Sequence, residues 1–362
     1  MPSSTRVTNT RARVSAAVAA VAVLAAGFVL RPQPPTLSPD TTGDAGLAER
    51  ARPLLEEAPR ATAAVVEVDD GLIRAAYFGS DETTRYEIGS VSKSLTGLLL
   101  ADAVERGEVT EDTELGSLLD LGEAPAASVT LAELSGHQSG LPSNPPGALD
   151  RIAQAVNHTR NRQPYTAQDV DALVGMVADA ELSGRGEHSY SNLGAAALGQ
   201  ALAVAAGTDY PTLVRERILD PLDMNDSLVP ATPEDVPPQA ATGHANNGRP
   251  FAPVADAVWA PSGGVYSTGA DMGLLALALL TGEVPGAAAM EPRWEDEAGD
   301  GVGLGWYVTD HDGTEVTWHN GITGGFYTIL ALDREGERAV VILSDTPAGT
   351  YSAAVDLLLE EA

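Results

Sequence analysis

Cysteine is absent from the 362-residue chain, and lysine occurs once, as Lys93, against twenty arginines. Without thiols there is no thiol catalysis, no disulfide framework and no cysteine-ligated zinc. The compartment stays open, because an exported protein can do without disulfides. Three motifs are also missing. No GxSxG is present, so the nucleophile-elbow hydrolases lose their marker. Neither HExxH nor a tight cluster of His with carboxylates occurs, so no metal or other cofactor is expected. The P-loop pattern, GxxxxGK followed by Ser or Thr, is absent as well.

Positive charge is scarce. The net charge is −30, and four arginines of residues 1–31 (Arg6, Arg11, Arg13, Arg31) stand in a segment without acids. The remainder carries 17 positive against 51 negative charges, a net of −34. Such a body is repelled by nucleic acid and by anionic membrane surfaces. It suits neutral or cationic ligands, or simply a solvated acidic surface that keeps the protein soluble.

Only one long apolar run is present. Val14 to Leu30 is uncharged, follows Arg6, Arg11 and Arg13, and ends at Arg31-Pro32. A basic flank and an apolar stretch read as an export signal over residues 1–31, either cleaved or retained as a membrane anchor by residues 14–30. The protein is therefore expected outside the cytoplasm, anchored or secreted. Residues 32–44 read as a stiff Pro-rich linker, and a single folded domain is expected over residues 45–362.

Within that domain, Leu47 to Glu57 has an amphipathic helical pattern. Ala61 to Val68 and Leu72 to Phe78 are β-prone and flank Asp69-Asp70-Gly71, a hairpin signal. Ser92 to Arg106 is helical, with Gly107 as its stop. Helices are expected at Leu131–Ser135, Ala167–Ala180, Gly194–Ala206, Tyr210–Ile218 and Asp271–Leu280. Strands are expected at Leu304–Thr309, Glu315–His319, Gly325–Leu332 and Arg338–Leu343, with a closing helix over Tyr351–Glu360. Strands at both ends of a helical middle predict an α+β fold: one antiparallel sheet from N- and C-terminal strands, flanked by helices.

The lone Lys93 lies in Ser90-Val91-Ser92-Lys93. A helix beginning near Ser90 places both side chains on one face, about a turn apart. Lysine, unlike arginine, can be neutral in a protein, and a hydroxyl beside a neutral amine is the pairing an activated serine requires. An exposed lysine at a helix start is the bland alternative. Two further motifs follow in order, Tyr190-Ser191-Asn192 before a helix and His319-Asn320-Gly321 at a strand end. Alone, Tyr190 reads equally as a core aromatic, Asn192 as an N-cap and His319 as a strand-end polar residue.

In this order, SxxK, YxN and HxG resemble the penicillin-recognising serine hydrolases of the class C β-lactamase type, which include D-Ala-D-Ala carboxypeptidases and esterases. Supporting flanks are Ile88-Gly89, Ser139-Gly140-Leu141-Pro142, Pro261-Ser262-Gly263-Gly264, Gly303-Leu304-Gly305-Trp306 and Gly324-Gly325-Phe326. The resemblance implies that Ser90 forms an acyl-enzyme and that Lys93 or a deprotonated Tyr190 is the base. It implies further that Asn192, His319, Asn320 and Gly321 bind substrate, and that the backbone N–H groups of Ser90 and Ile322 form the oxyanion hole. His319 stands where many β-lactamases carry Lys, and binds a carboxylate well only when protonated. The expected substrates are a D-Ala-D-Ala-type peptide first, then an ester, then a β-lactam, with cell-wall peptidoglycan as the corresponding partner. A β-lactam or peptidoglycan sensor that acylates without turnover is the non-enzymatic rival.

Overall fold

The structure, a computed structural model, describes residues 32–144, 156–157, 160 and 169–360. The export segment expected over residues 1–31 lies outside the described residues, as does the start of the helix expected at Ala167. Among the described residues no helix is long and apolar enough to cross a membrane.

The chain runs through β1 (Thr41–Gly43), α1 (Ala45–Leu55), β2 (Ala63–Asp69), β3 (Leu72–Phe78), β4 (Arg85–Glu87) and α2 (Val91–Glu105). A helical middle follows: α3 (Leu131–Ser135), α4 (Val170–Ala178), α5 (Asn192–Ala206), α6 (Tyr210–Val214) and α7 (Ala260–Gly263). Next are β5 (Tyr266–Thr268), α8 (Gly269–Thr281), β6 (Trp294–Glu295), β7 (Gly301–Val302), β8 (Tyr307–His311), β9 (Thr314–Ile322), β10 (Tyr327–Asp333), β11 (Arg338–Ser344) and α9 (Tyr351–Leu359). Nine strands form one sheet in the order β1-β3-β2-β11-β10-β9-β8-β7-β6, and β4 pairs with β5 apart from it. The neighbours are antiparallel, and β11 against β2 joins the two ends of the chain, with Val341 opposite Val66.

Alternation along the central strands explains the layering. Val66, Val68, Leu330, Leu332, Val341 and Leu343 face a core shared with α2, α5 and α8. Their neighbours Val65, Ile329, Ala331, Val340 and Ile342 face α1 and α9. Buried on both faces, these strands read as continuous apolar runs rather than strict alternation. Each fully buried Leu, Ile or Val side chain contributes roughly 1.5–3 kcal/mol by leaving water.

Helix α2 is buried from Val91 to Ala103. Its apolar residues surround the axis, as they do in a helix enclosed by protein rather than lying on a surface. The helix therefore carries Ser90 and Lys93 into the middle of the molecule.

Three expectations shift. The segment read as a linker ends inside the fold: Thr41–Gly43 pairs with Ala76–Phe78, Ser38 N–H donates to Ala61 O at 3.0 Å, and Asp44 caps α1 through Leu47 N. The sheet edge at β3 offered unpaired backbone groups, and the extended Thr-rich segment satisfies them. The strand expected from Leu304 starts at Tyr307, because Gly303 N–H donates to Trp306 O at 2.9 Å and closes a turn that buries Leu304 and Trp306. Strand β9 continues past His319 to Ile322, which brings Gly321 and Ile322 into register with β10.

Candidate active site

Ser90 precedes the first turn of α2 in helical backbone geometry, yet its hydroxyl makes no capping bond. The hydroxyl is left for other partners. Lys93 Nζ lies 3.0 Å from Ser90 Oγ, and Tyr190 OH donates to the same oxygen at 2.7 Å. Lys93 also reaches Asn192 Oδ1 at 2.8 Å and the carbonyl oxygen of Ser262. Its side chain is 2% exposed, and burial drives its pKa well below the ordinary lysine value.

Tyr190 and Asn192 are held by the start of α5. Ser191, not Asn192, caps that helix, its Oγ accepting from Gly194 N at 2.9 Å. This leaves the Asn192 amide for Lys93 and, through Nδ2, for Ser143 Oγ at 3.4 Å. The Tyr190 ring packs on Lys93 Nζ, 4.8 Å from its centroid, and on the His137 ring at 4.5 Å.

Sequence reasoning passed over His137. It is 2% exposed, with φ +59°, and its Nδ1 accepts from Ser191 N–H at 3.3 Å. Burial holds its pKa far below the usual histidine range, so it is a neutral ring that props the Tyr190-Ser191 turn. The left-handed backbone of His137, between Gly136 and Gln138, could not be foreseen from residue type. Ser262 escaped for another reason: its functional atom is a backbone carbonyl.

The backbones that carry the two expected oxyanion donors, Ser90 and Ile322, meet where the start of α2 approaches β9. A Cβ on Gly321 would sit 1.8 Å from Ile88 O and 2.8 Å from Ser90 N, and one on Gly89 (φ +53°) 2.9 Å from Ile322 N. Only glycine allows these backbones to approach so closely. Thr323 N–H donates to Phe326 O at 3.0 Å. The antiparallel alternation therefore makes Ile322 and Tyr327 a non-hydrogen-bonded pair, with the Ile322 N–H directed away from β10. The amide nitrogens of Ser90 and Ile322 are thereby set beside the close approach of Gly89 and Gly321.

His319 is placed at the site but in a different state from the one needed to bind a carboxylate. It is 1% exposed, and burial, then the neighbouring Lys93 whenever that is charged, pushes its pKa down to about 3. It supplies no positive charge near neutrality. Asn320 turns its amide to Tyr327 OH at 3.0 Å. The site opens into a cleft of about 880 Å³ whose lining includes Ser90, Tyr190, Asn192, His319, Asn320 and Ile322. Among the described residues no group of His, Asp or Glu side chains is arranged to hold a metal.

The family model described as Beta-lactamase matches residues 47–361. Beta-lactamase-like protein 2 of Dictyostelium discoideum is 30% identical over 200 residues, covering 51% of this chain and 34% of that protein. The chain thus spans about a third of that relative's length. D-alanyl-D-alanine-carboxypeptidase/endopeptidase AmpH of Escherichia coli (strain K12) is 26% identical over 287 residues, covering 72% of this chain and 71% of that protein. The crystal structure of the D-alanine carboxypeptidase AmpC from Burkholderia cenocepacia superposes with a TM-score of 0.72 at 20% identity, over 87% of this chain and 98% of that one. That similarity establishes the fold.

Proposed function

The chain belongs to the beta-lactamase family, and from that premise and the geometry of its cleft we propose that it is a serine hydrolase that cleaves amides or esters through an acyl-enzyme on Ser90. One observation carries the reading. Asn192 Oδ1 and Ser262 O can only accept hydrogen bonds. A neutral Lys93 amine has two hydrogens and one lone pair. The two hydrogens go to those two oxygens, and the lone pair is left facing Ser90 Oγ at 3.0 Å. Lys93 is then the base, and Tyr190, donating to Oγ, is the relay.

In the first half-reaction Ser90 Oγ attacks the carbonyl carbon while its proton passes to Lys93 Nζ. The tetrahedral oxyanion rests against the N–H groups of Ser90 and Ile322. Its collapse breaks the bond to the leaving nitrogen or oxygen, which takes a proton from the Lys93 and Tyr190 pair. Water then attacks the acyl-enzyme, giving up its proton to the same pair, and the free acid and Ser90 hydroxyl are regenerated.

Small peptides ending in D-alanine are the leading substrate class, supported by the name of the AmpH relative. Esters are the second reading, favoured by a neutral His319 that offers no cation to a substrate carboxylate. Export of the domain, with residues 1–31 cleaved or retained, is proposed on the sequence alone and is tested by N-terminal sequencing of the mature protein from fractionated cells. A screen over D-alanyl-D-alanine peptides, p-nitrophenyl esters and a chromogenic cephalosporin tests the activity. Turnover of at least one class, abolished by Ser90→Ala, is expected. Ser90 acylation without turnover favours the sensor instead, and the absence of both acylation and turnover refutes the proposal.

A further inference from the structure

The tautomer of His319 fixes what the cleft presents beside the nucleophile. Its Nδ1 lies 2.7 Å from the carbonyl oxygen of Asn320, which can only accept, so Nδ1 carries the hydrogen. Nε2 is therefore a bare lone pair. It is buried and has no hydrogen-bond partner among the described residues, and the side chain lines the cleft at 1% exposure. A lone pair attracts a donor and repels a carboxylate oxygen.

The surrounding wall has the same preference. Asp296 and Asp300 line the cleft, and no Arg or Lys does so among the described lining residues. Tyr307 and Trp318 line it as well, as a stacked pair with centroids 5.2 Å apart, and Tyr307 lies 5.5 Å from His319. Ring faces of this kind attract cations. Asp296 Oδ1 is fixed by Ala298 N–H at 2.8 Å and Asp300 N–H at 3.0 Å, which holds the carboxylate at the rim.

We propose that the leaving-group side of this cleft takes a protonated amine, directed by the lone pair of His319 and the carboxylates of Asp296 and Asp300, rather than the free carboxylate of a C-terminal residue. The inference rests on the acyl-enzyme reading of Ser90. It favours an amine-bearing amide, or cleavage inside a peptide whose leaving group carries an amine, and so places these above the D-alanine-terminated peptides that the name of the AmpH relative supports.

The test uses three N-acyl-D-alanyl compounds identical except for the leaving group: D-alanine, D-alaninamide and the matching aminomethyl amine. Each competes at neutral pH with a fluorophosphonate for Ser90 of the full chain, so binding is read even without cleavage. The aminomethyl compound is expected to protect about tenfold better than the carboxylate, the scale of one charge-assisted hydrogen bond. Asp296→Asn with Asp300→Asn should lower that preference toward the carboxamide, and His319→Lys should shift it toward the carboxylate. Equal or better protection by the carboxylate in the unaltered protein overturns the inference and leaves the acyl-enzyme reading standing. A protein that the fluorophosphonate never labels at Ser90 overturns both.

Discussion

Lys93 Nζ and Ser90 Oγ lie 3.0 Å apart, one helical turn along α2, in a part of the molecule where the lysine side chain is 2% exposed. Burial removes the water that would stabilise an ammonium, and the amine is then able to take a proton. Arginine keeps its charge in the same place. Lys93→Arg should therefore lower the acylation rate by about 100-fold or more, the scale of a lost general base, with the fold retained. Stopped-flow acylation together with circular dichroism checks this. Acylation within a few-fold of the unaltered rate would show that only the positive charge matters.

Tyr190 combines two contacts that a substitution separates. The hydroxyl donates to Ser90 Oγ at 2.7 Å, while the ring packs on His137 at 4.5 Å. Tyr190→Phe removes the first and keeps the second. The expected result is a fall in kcat of about 100-fold or more with little change in melting temperature. Unchanged kcat would remove the phenol from proton transfer.

How much of this could be read from residue order differs by element. The hairpin of β2 and β3, helix α2 and the C-terminal strands follow from local apolar patterns that tertiary packing preserves. The spacing of Ser90 and Lys93 was legible because one helix turn joins them. The carbonyl of Ser262 was not, since it meets Lys93 across 169 residues and any residue type carries that atom. Strand β1 lay hidden in a segment whose prolines and threonines suit a linker, because an edge strand depends on the edge it meets. The neutrality of His319 depends on burial, which no motif encodes.

Glu87 gives a pH signature. It lies three residues before Ser90 and is 1% exposed, with Oε1 accepting from Val254 N–H and Tyr266 OH, both at 2.8 Å. Burial raises its pKa from 4.5 to about 7. Between those values the folded protein holds a proton that the unfolded chain has released. Stability contributed by the protonated form is complete below pH 4.5 and is lost as pH rises through about 7. Glu87→Gln cannot titrate, so relative to the unaltered protein it should gain stability from about pH 4.5 to 7, by on the order of 3 kcal/mol, and level off above. Urea unfolding of both proteins across that range measures the difference. A pH-independent difference would mean that Glu87 titrates normally.

The most direct measurement is the mass and location of a covalent adduct. Full-length protein is treated with a fluorophosphonate, weighed intact and mapped by peptide mass spectrometry. One adduct per chain is expected on the peptide that carries Ser90, absent from Ser90→Ala and strongly slowed in Lys93→Arg. An adduct that persists in Ser90→Ala, or no adduct on folded protein, would contradict the assignment of Ser90 as the nucleophile.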